Sequence, residues 1–324
     1  MRLAILADIH GNIFALRAIA KRLEQLQPDA VIVNGDIINA IPFSDQVIDF
    51  LKKNDWLIVR GNHEFYYLDY ASGRAPRSWN DAERWGQLHW LMNHISQEQG
   101  RFLASLPDEL TLAYPQTAPV RVTHGTPGHN RRGFTNRMPA PKIIEAINDI
   151  PQQTFINAHS HVQIDRIIKE SNARTGEKSD QAPAFHLESP GTPQQRVWHV
   201  INPGSVGQPL NGDPRAQFAV IESAPQSIIP GGWRVSHHRI PYDRRPALRG
   251  YETSGMKEAG GVISELFYWE LVTAEREIDL FFQWKQSNVP PGKHTFRDEF
   301  EAYKRCTNRA NYINQRDPLR TGGF

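Results

Sequence analysis

Residues 3–37 read LAILADIHGNIFALRAIAKRLEQLQPDAVIVNGDI. Two short apolar runs, LAILA and AVIV, each lead into an acidic residue, Asp8 and Asp36. Between them Phe14, Leu16, Ile19, Ala20, Leu23 and Leu26 approximate a helical stripe that Pro28 closes. The stretch is therefore a strand, a helix and a second strand. Strands that alternate with helices argue for a parallel sheet, and in such sheets ligands collect beyond the carboxyl ends of the strands. Both acids stand at such ends.

The same grammar continues along the chain. WLIVRGNHE (56–64), VRVTHGTPG (120–128), TFINAHSHV (154–162) and VWHVINPGSVG (197–207) are further apolar runs ending in polar clusters. SDQVIDFLKKN (44–54) supplies a second helix, and residues 69–107 form a tryptophan-rich helical excursion. AQFAVIE (216–222) and WRVSHHRIPY (233–242) alternate as strands, and the pattern beyond Tyr251 turns helical again. Residues 169–196 are polar and rich in Pro and Gly, which predicts a long mobile hairpin insertion. The expected domains are a catalytic unit over 1–250 and a C-terminal helical extension over 251–324 packed on it.

Composition narrows the chemistry. The chain has 324 residues, 39% hydrophobic and 22% charged, as a globular protein does. Its net charge of +2 comes from 37 basic and 35 acidic residues without long runs of one sign, so there is no nucleic-acid footprint. The five apolar residues between Arg2 and Asp8 are too few for a signal-peptide core or a membrane span, so the expected location is the cytoplasm. A single cysteine, Cys306, leaves no thiolate cluster, and any metal must use nitrogen and oxygen ligands.

Such ligands gather at the strand ends: Asp8 and His10, Asp36, Asn62 and His63, His124, then His159 and His161. Singly, each has an ordinary reading, since acids cap helices, Asn fits left-handed turns and a lone His is often a satisfied core residue. Together they place carboxylates, imidazoles and an amide at one end of the strands, which is a metal site. In an extended chain, positions i and i+2 point to one side, so His159 and His161 are expected to face it together.

Asp-x-His-Gly-Asn, Gly-Asp, Gly-Asn-His-Glu, His-Gly and His-x-His, in this order, resemble the calcineurin-like metallophosphoesterase superfamily over about residues 1–222. DIHGN, NPGSVGQP and the helix-rich segment after GNHE resemble its prokaryotic phosphodiesterase-like branch. The resemblance implies an α/β fold, a four-layer α/β/β/α sandwich of two mixed sheets. It implies two divalent ions, manganese, iron or zinc, one held by Asp8, His10, Asp36 and His161, the other by Asp36, Asn62, His124 and His159. Asp36 would bridge, a carboxylate offering two oxygens and a negative charge. A metal-bridging hydroxide would attack phosphorus in line, and His63 would protonate or stabilise the leaving oxygen. Glu64 and Asn39 are the candidates to orient His63.

The implied substrate is a small phosphomonoester, phosphodiester or nucleotide. The protein-phosphatase branch shares RGNHE, but GDIINAIPF lacks that branch's phosphate-clamping arginine. A non-catalytic metal-binding scaffold is a third reading, which the complete ligand set disfavours. Phosphate contacts are expected from Asn12, Arg131, Arg132 and Arg137, since a guanidinium fork matches phosphate oxygens. Gly204 to Gly207 can cradle an anion or make a tight turn. One departure stands out, Ala158 where the superfamily usually has glycine before the first histidine of the pair.

Overall fold

In the computed structural model, which describes residues 1–170, 196–290, 292 and 294–322, ten strands form two sheets. The strands are β1 (Arg2–Leu6), β2 (Ala30–Asn34), β3 (Leu57–Val59), β4 (Glu109–Leu112), β5 (Val120–Thr123), β6 (Thr154–Ile156), β7 (Ile164–Lys169), β8 (Val197–Asn202), β9 (Ala216–Ser223) and β10 (Trp233–Ile240). The first sheet has the order β10-β9-β1-β2-β3 and the second β4-β5-β6-β8-β7. Each holds three parallel strands, β1-β2-β3 and β5-β6-β8. The other strands pair antiparallel, so both sheets are mixed, as the family resemblance implied.

Period-two alternation generates the layers. On β1, Leu3 and Ile5 face Val120, Val122, Ile156 and Ile201 of the second sheet. Ala4 and Leu6 face the other way, onto the helices. Those helices are α1 (Ile13–Leu26), α2 (Ser44–Lys52), α3 (Asn62–Ala71), α4 (Ala82–Met92) and α5 (Gln97–Ser105). The outer face of the second sheet buries Phe155, Trp198 and Val200 against Ile143 and Ile147 of α6 (Ala140–Ile147). The result is the four-layer α/β/β/α sandwich. Of the insertion predicted over 169–196, Lys169 belongs to β7, which pairs antiparallel with β8, and 171–195 lie outside the described residues.

Among the described residues seven further α-helices follow: α7 (Arg245–Thr253), α8 (Met256–Ala259), α9 (Gly261–Thr273), α10 (Glu277–Asn288), α11 (Phe296–Cys306), α12 (Arg309–Asn314) and α13 (Pro318–Thr321). The boundary expected after residue 250 falls inside α7, and α9 shares one hydrophobic cluster with α1 and α2. No described helix is long and apolar enough to cross a membrane.

Within α9, Glu270 is buried, accepting from Gln208 Nε2 at 2.7 Å and the Ile278 amide at 3.2 Å. Burial lifts its pKa from 4.5 to about 8, the Ile278 hydrogen bond opposing and the charges of Glu277 and Asp279 adding. A raised folded-state pKa contributes stability that is complete below the unfolded value and is lost as pH rises through about 8. Glu270→Gln removes this loss. Its melting temperature, relative to wild type, is expected to rise by several degrees between pH 5 and pH 9; a difference that does not move with pH would refute the shift.

Candidate metal centre

The loops after β1, β2, β3, β5 and β6 converge at one end of the sandwich and bring Asp8, His10, Asp36, Asn62, His124, His159 and His161 together. All but His159 are buried. Asp8, His10, Asp36 and His161 offer ligand atoms within 4.8 Å of one another, and so do Asp36, His124 and His159. His10 Nε2 lies 3.1 Å from His161 Nε2. Asn62 Oδ1 lies 2.7 Å from His159 Nδ1 and 3.1 Å from His124 Nε2. Asp36 Oδ2 is 3.2 Å from His124 Nε2 and 3.7 Å from His10 Nε2, so this one oxygen faces both sets. Asp36 Oδ1 instead accepts from the His63 amide at 2.8 Å, so the two carboxylate oxygens divide the work differently from the two-oxygen bridge expected.

The backbone is strained into this shape. Among described non-glycine residues with positive φ are Asp8 (53°), His10 (52°), Asp36 (50°), His159 (65°) and His161 (56°), five of the seven ligand candidates. Such left-handed conformations cost on the order of 1 kcal/mol or more each and persist only where the surroundings enforce them. The two histidines thus reach the site through left-handed loop residues, which corrects the extended-strand argument. Ala158 avoids that region, and its amide donates to the His124 carbonyl, so its methyl brings no backbone penalty. Space is limiting at Gly35 and Gly61, where a Cβ would overlap His124 Nδ1 and Asp36 Oδ1 respectively.

Two of the candidate ligands are held from behind by backbone carbonyls. The Asn34 carbonyl accepts from His124 Nδ1 (2.8 Å), and the Gln208 carbonyl from His161 Nδ1 (2.6 Å), leaving both Nε2 atoms for the centre. Glu64 accepts from the amides of Asp36, Ile37, Ile38 and Gly61, which ties the β2 loop to the start of α3. Glu64 is therefore not the partner of His63. Asn39 is: its Nδ2 lies 2.9 Å from His63 Nδ1, while its Oδ1 accepts from the Ala40 amide.

The electrostatics ask for a cation. Burial pushes Asp8 well above its usual range and the charge of Asp36 adds to this, His124 opposing. For Asp36 burial acts upward too, but the imidazoles of His124, His63 and His10 outweigh it and hold it well below. His124 is desolvated, yet Asp36 and Asp8 raise it to about 10, drawing a proton between the carboxylates. Burial leaves His159 neutral near 4 and His161 near 3. Asp8 Oδ2 is a buried acceptor without a hydrogen bond. The Asn62 oxygen sits among acceptors; an amide turned to present its nitrogen would donate to them, whereas a bound divalent ion suits the oxygen. This donor set of imidazole nitrogens, carboxylates and an amide oxygen fits divalent metals.

The expected phosphate contacts divide. Asn12 is fully buried and committed to the fold: Oδ1 caps α1 by accepting from Ala15 N, and Nδ2 donates to Gly207 O and Tyr242 Oη. Its assignment to substrate is corrected. Arg131 stacks 4.5 Å over the Tyr66 ring, itself 5.4 Å from the His63 ring, and so stands beside the centre. Arg132 and Arg137 are exposed and take no part in the contacts that build it. The Gly204–Gly207 turn spends its amides on β1 and its loop, Val206 N donating to Ala7 O and Gly207 N to Asp8 O, so it is a latch, not an anion cradle.

The sequence matches the family model described as calcineurin-like phosphoesterase over residues 1–190. An uncharacterized protein of Methanocaldococcus jannaschii is 22% identical over 247 residues, 76% of this chain and 89% of its own length. A metallophosphoesterase of Sphaerobacter thermophilus superposes with a TM-score of 0.58 at 24% identity, covering 85% of this chain and 100% of that one. A hypothetical protein of Pyrococcus horikoshii gives 0.59 at 17% identity, covering 82% and 97%. The two structures share the fold, and the family model spans more than half of the chain and every ligand candidate. The chain belongs to the calcineurin-like phosphoesterase family, hydrolases of phosphate esters.

Proposed function

We propose that the protein hydrolyses phosphomonoesters or phosphodiesters of small molecules or nucleotides with two divalent ions. Asp8, His10, Asp36 and His161 hold one, and Asp36, Asn62, His124 and His159 the other. The observation that carries this is the pair of ligand sets meeting at Asp36 Oδ2. When bound, ions such as manganese, iron or zinc supply Lewis-acid charge to the phosphoryl oxygens and acidify a water.

The remaining work belongs to the chain. With Asn39 Nδ2 donating to His63 Nδ1, neutral His63 keeps its proton on Nε2 and can hydrogen-bond the leaving oxygen. Arg131, braced on Tyr66, supplies a guanidinium for phosphate on the His63 side. A cleft of about 750 Å³ beside the centre is lined by His124 and Arg131 together with Asp69, Asp108 and Glu109. The C-terminal helices belong, in this reading, to the catalytic unit, Phe267 of α9 lying 6.4 Å from the His63 ring.

The test is metal analysis coupled to a substrate panel: bis(p-nitrophenyl) phosphate, p-nitrophenyl phosphate, diadenosine polyphosphates and a phosphopeptide. Two ions per chain and manganese-dependent turnover of a small ester or nucleotide, abolished by chelation, are expected. Fully loaded protein that hydrolyses none of them would refute the proposal. Faster release from the phosphopeptide would redirect it to protein phosphatase activity.

A further inference from the structure

Arg276 lies between α9 and α10, far beyond the residues that the family model matches. Its Nη2 donates to the Ser160 carbonyl at 2.8 Å, and Ser160 is the residue between the two histidines of the pair. The side chain is 39% exposed although its anchor is buried, so the guanidinium reaches from solvent to the loop that carries His159 and His161. Its charge is felt at both His159 and His161, where it adds to burial in keeping the rings neutral. The acidic partner is Asp279, at 3.3 Å and 55% exposed, a geometry that contributes little and yields easily to a stronger anion.

A guanidinium has five N–H donors, and the Ser160 carbonyl and Asp279 engage only one nitrogen each. Resting on the phosphoesterase reading, we propose that Arg276 binds the unesterified oxygens of the substrate's phosphoryl group from the His159/His161 side. Arg131 stands over Tyr66, whose ring lies against that of His63. The C-terminal segment thereby supplies a substrate contact that the motifs of the first two hundred residues do not contain. The hydrogen bond to Ser160 fixes the fork before substrate arrives, so little side-chain freedom is left to lose on binding.

The test uses inorganic phosphate as probe, titrated calorimetrically into manganese-loaded full-length protein, alongside KM and kcat for p-nitrophenyl phosphate. Arg276→Gln is expected to weaken phosphate about tenfold or more and to raise KM similarly, with two ions per chain retained. Arg276→Lys recovers part of the loss as a point charge without the fork. Asp279→Asn, which frees the guanidinium without touching its anchor, tightens phosphate by about two- to threefold. A phosphate affinity unchanged within twofold in Arg276→Gln, with wild-type hydrolysis intact, overturns the assignment and leaves the phosphoesterase reading standing. Loss of bound metal in Arg276→Gln together with unchanged phosphate affinity in Asp279→Asn reduces Arg276 to a structural pin and also overturns it. Wild-type protein that neither hydrolyses esters nor binds phosphate overturns both.

Discussion

Asp36→Ala is expected to lose both metal ions and to lower kcat/KM by roughly 10⁴-fold or more, the largest effect of any single substitution in the centre. Oδ2 of Asp36 faces His10 on one side and His124 on the other, so its removal opens both ligand sets at once. The apoprotein is a different matter. Without ions the two buried carboxylates oppose each other, Asp36 raising Asp8, and they retain charge only by drawing a proton onto His124. Deleting Asp36 relieves the repulsion on Asp8 but strips His124 of its nearest carboxylate and the His63 amide of its acceptor, so the metal-free variant is expected to melt several degrees below metal-free wild type. Metal content by mass spectrometry and melting curves with and without chelator check both parts. A variant that keeps two ions would remove Asp36 from its shared position.

The ligands were legible in the sequence because each follows an apolar run that could only be a buried strand, and strand ends in such a sheet lie on one edge. What holds the ligands was not. His124 and His161 are oriented by the backbone carbonyls of Asn34 and Gln208, groups that every residue carries and no motif marks. Glu64 stands next to His63 in sequence, yet its carboxylate gathers four amides while Asn39, twenty-four positions away, reaches the ring. Asn12 illustrates the converse error. It adjoins the first motif and looked available, but a helix must begin at residue 13, and capping it consumes the side-chain oxygen.

Antiparallel strands and the C-terminal contacts were hidden for another reason. β9 alternates like any half-buried strand, and nothing in AQFAVIE says that it returns to pair antiparallel with β1. Pairing over more than two hundred residues is a tertiary choice, decided when Ala219 and Ile221 complete the layer that Leu3 and Ile5 begin. The same holds for Arg276. No motif marks it in the sequence, and only folding sets it on the Ser160 carbonyl.

His63→Ala is expected to keep both ions and to lose turnover by about 10²- to 10⁴-fold. The ring belongs to neither ligand set, and the bond from residue 63 to Asp36 Oδ1 comes from the backbone amide, which alanine preserves. Burial lowers the pKa of His63, Asp36 raising it and His124 lowering it further, and bound divalent ions act in the lowering direction. The ring is therefore neutral at pH 7, acting through Nε2–H as a hydrogen-bond donor. It follows that kcat does not decline between pH 6.5 and 8, whereas a role as imidazolium would make it fall as pH rises through that range. Because the ring packs against His10 at 4.7 Å and Tyr66 at 5.4 Å, alanine also leaves a cavity. Asn39→Ala is the companion: it keeps the ring and frees Nδ1, while also removing the Ala40 amide's acceptor and placing an alanine in the left-handed region, and is expected to lower turnover about tenfold with ions retained. Loss of metal in His63→Ala, or a decline in kcat across pH 6.5–8 in wild type that the variant lacks, would remove His63 from the role of neutral donor.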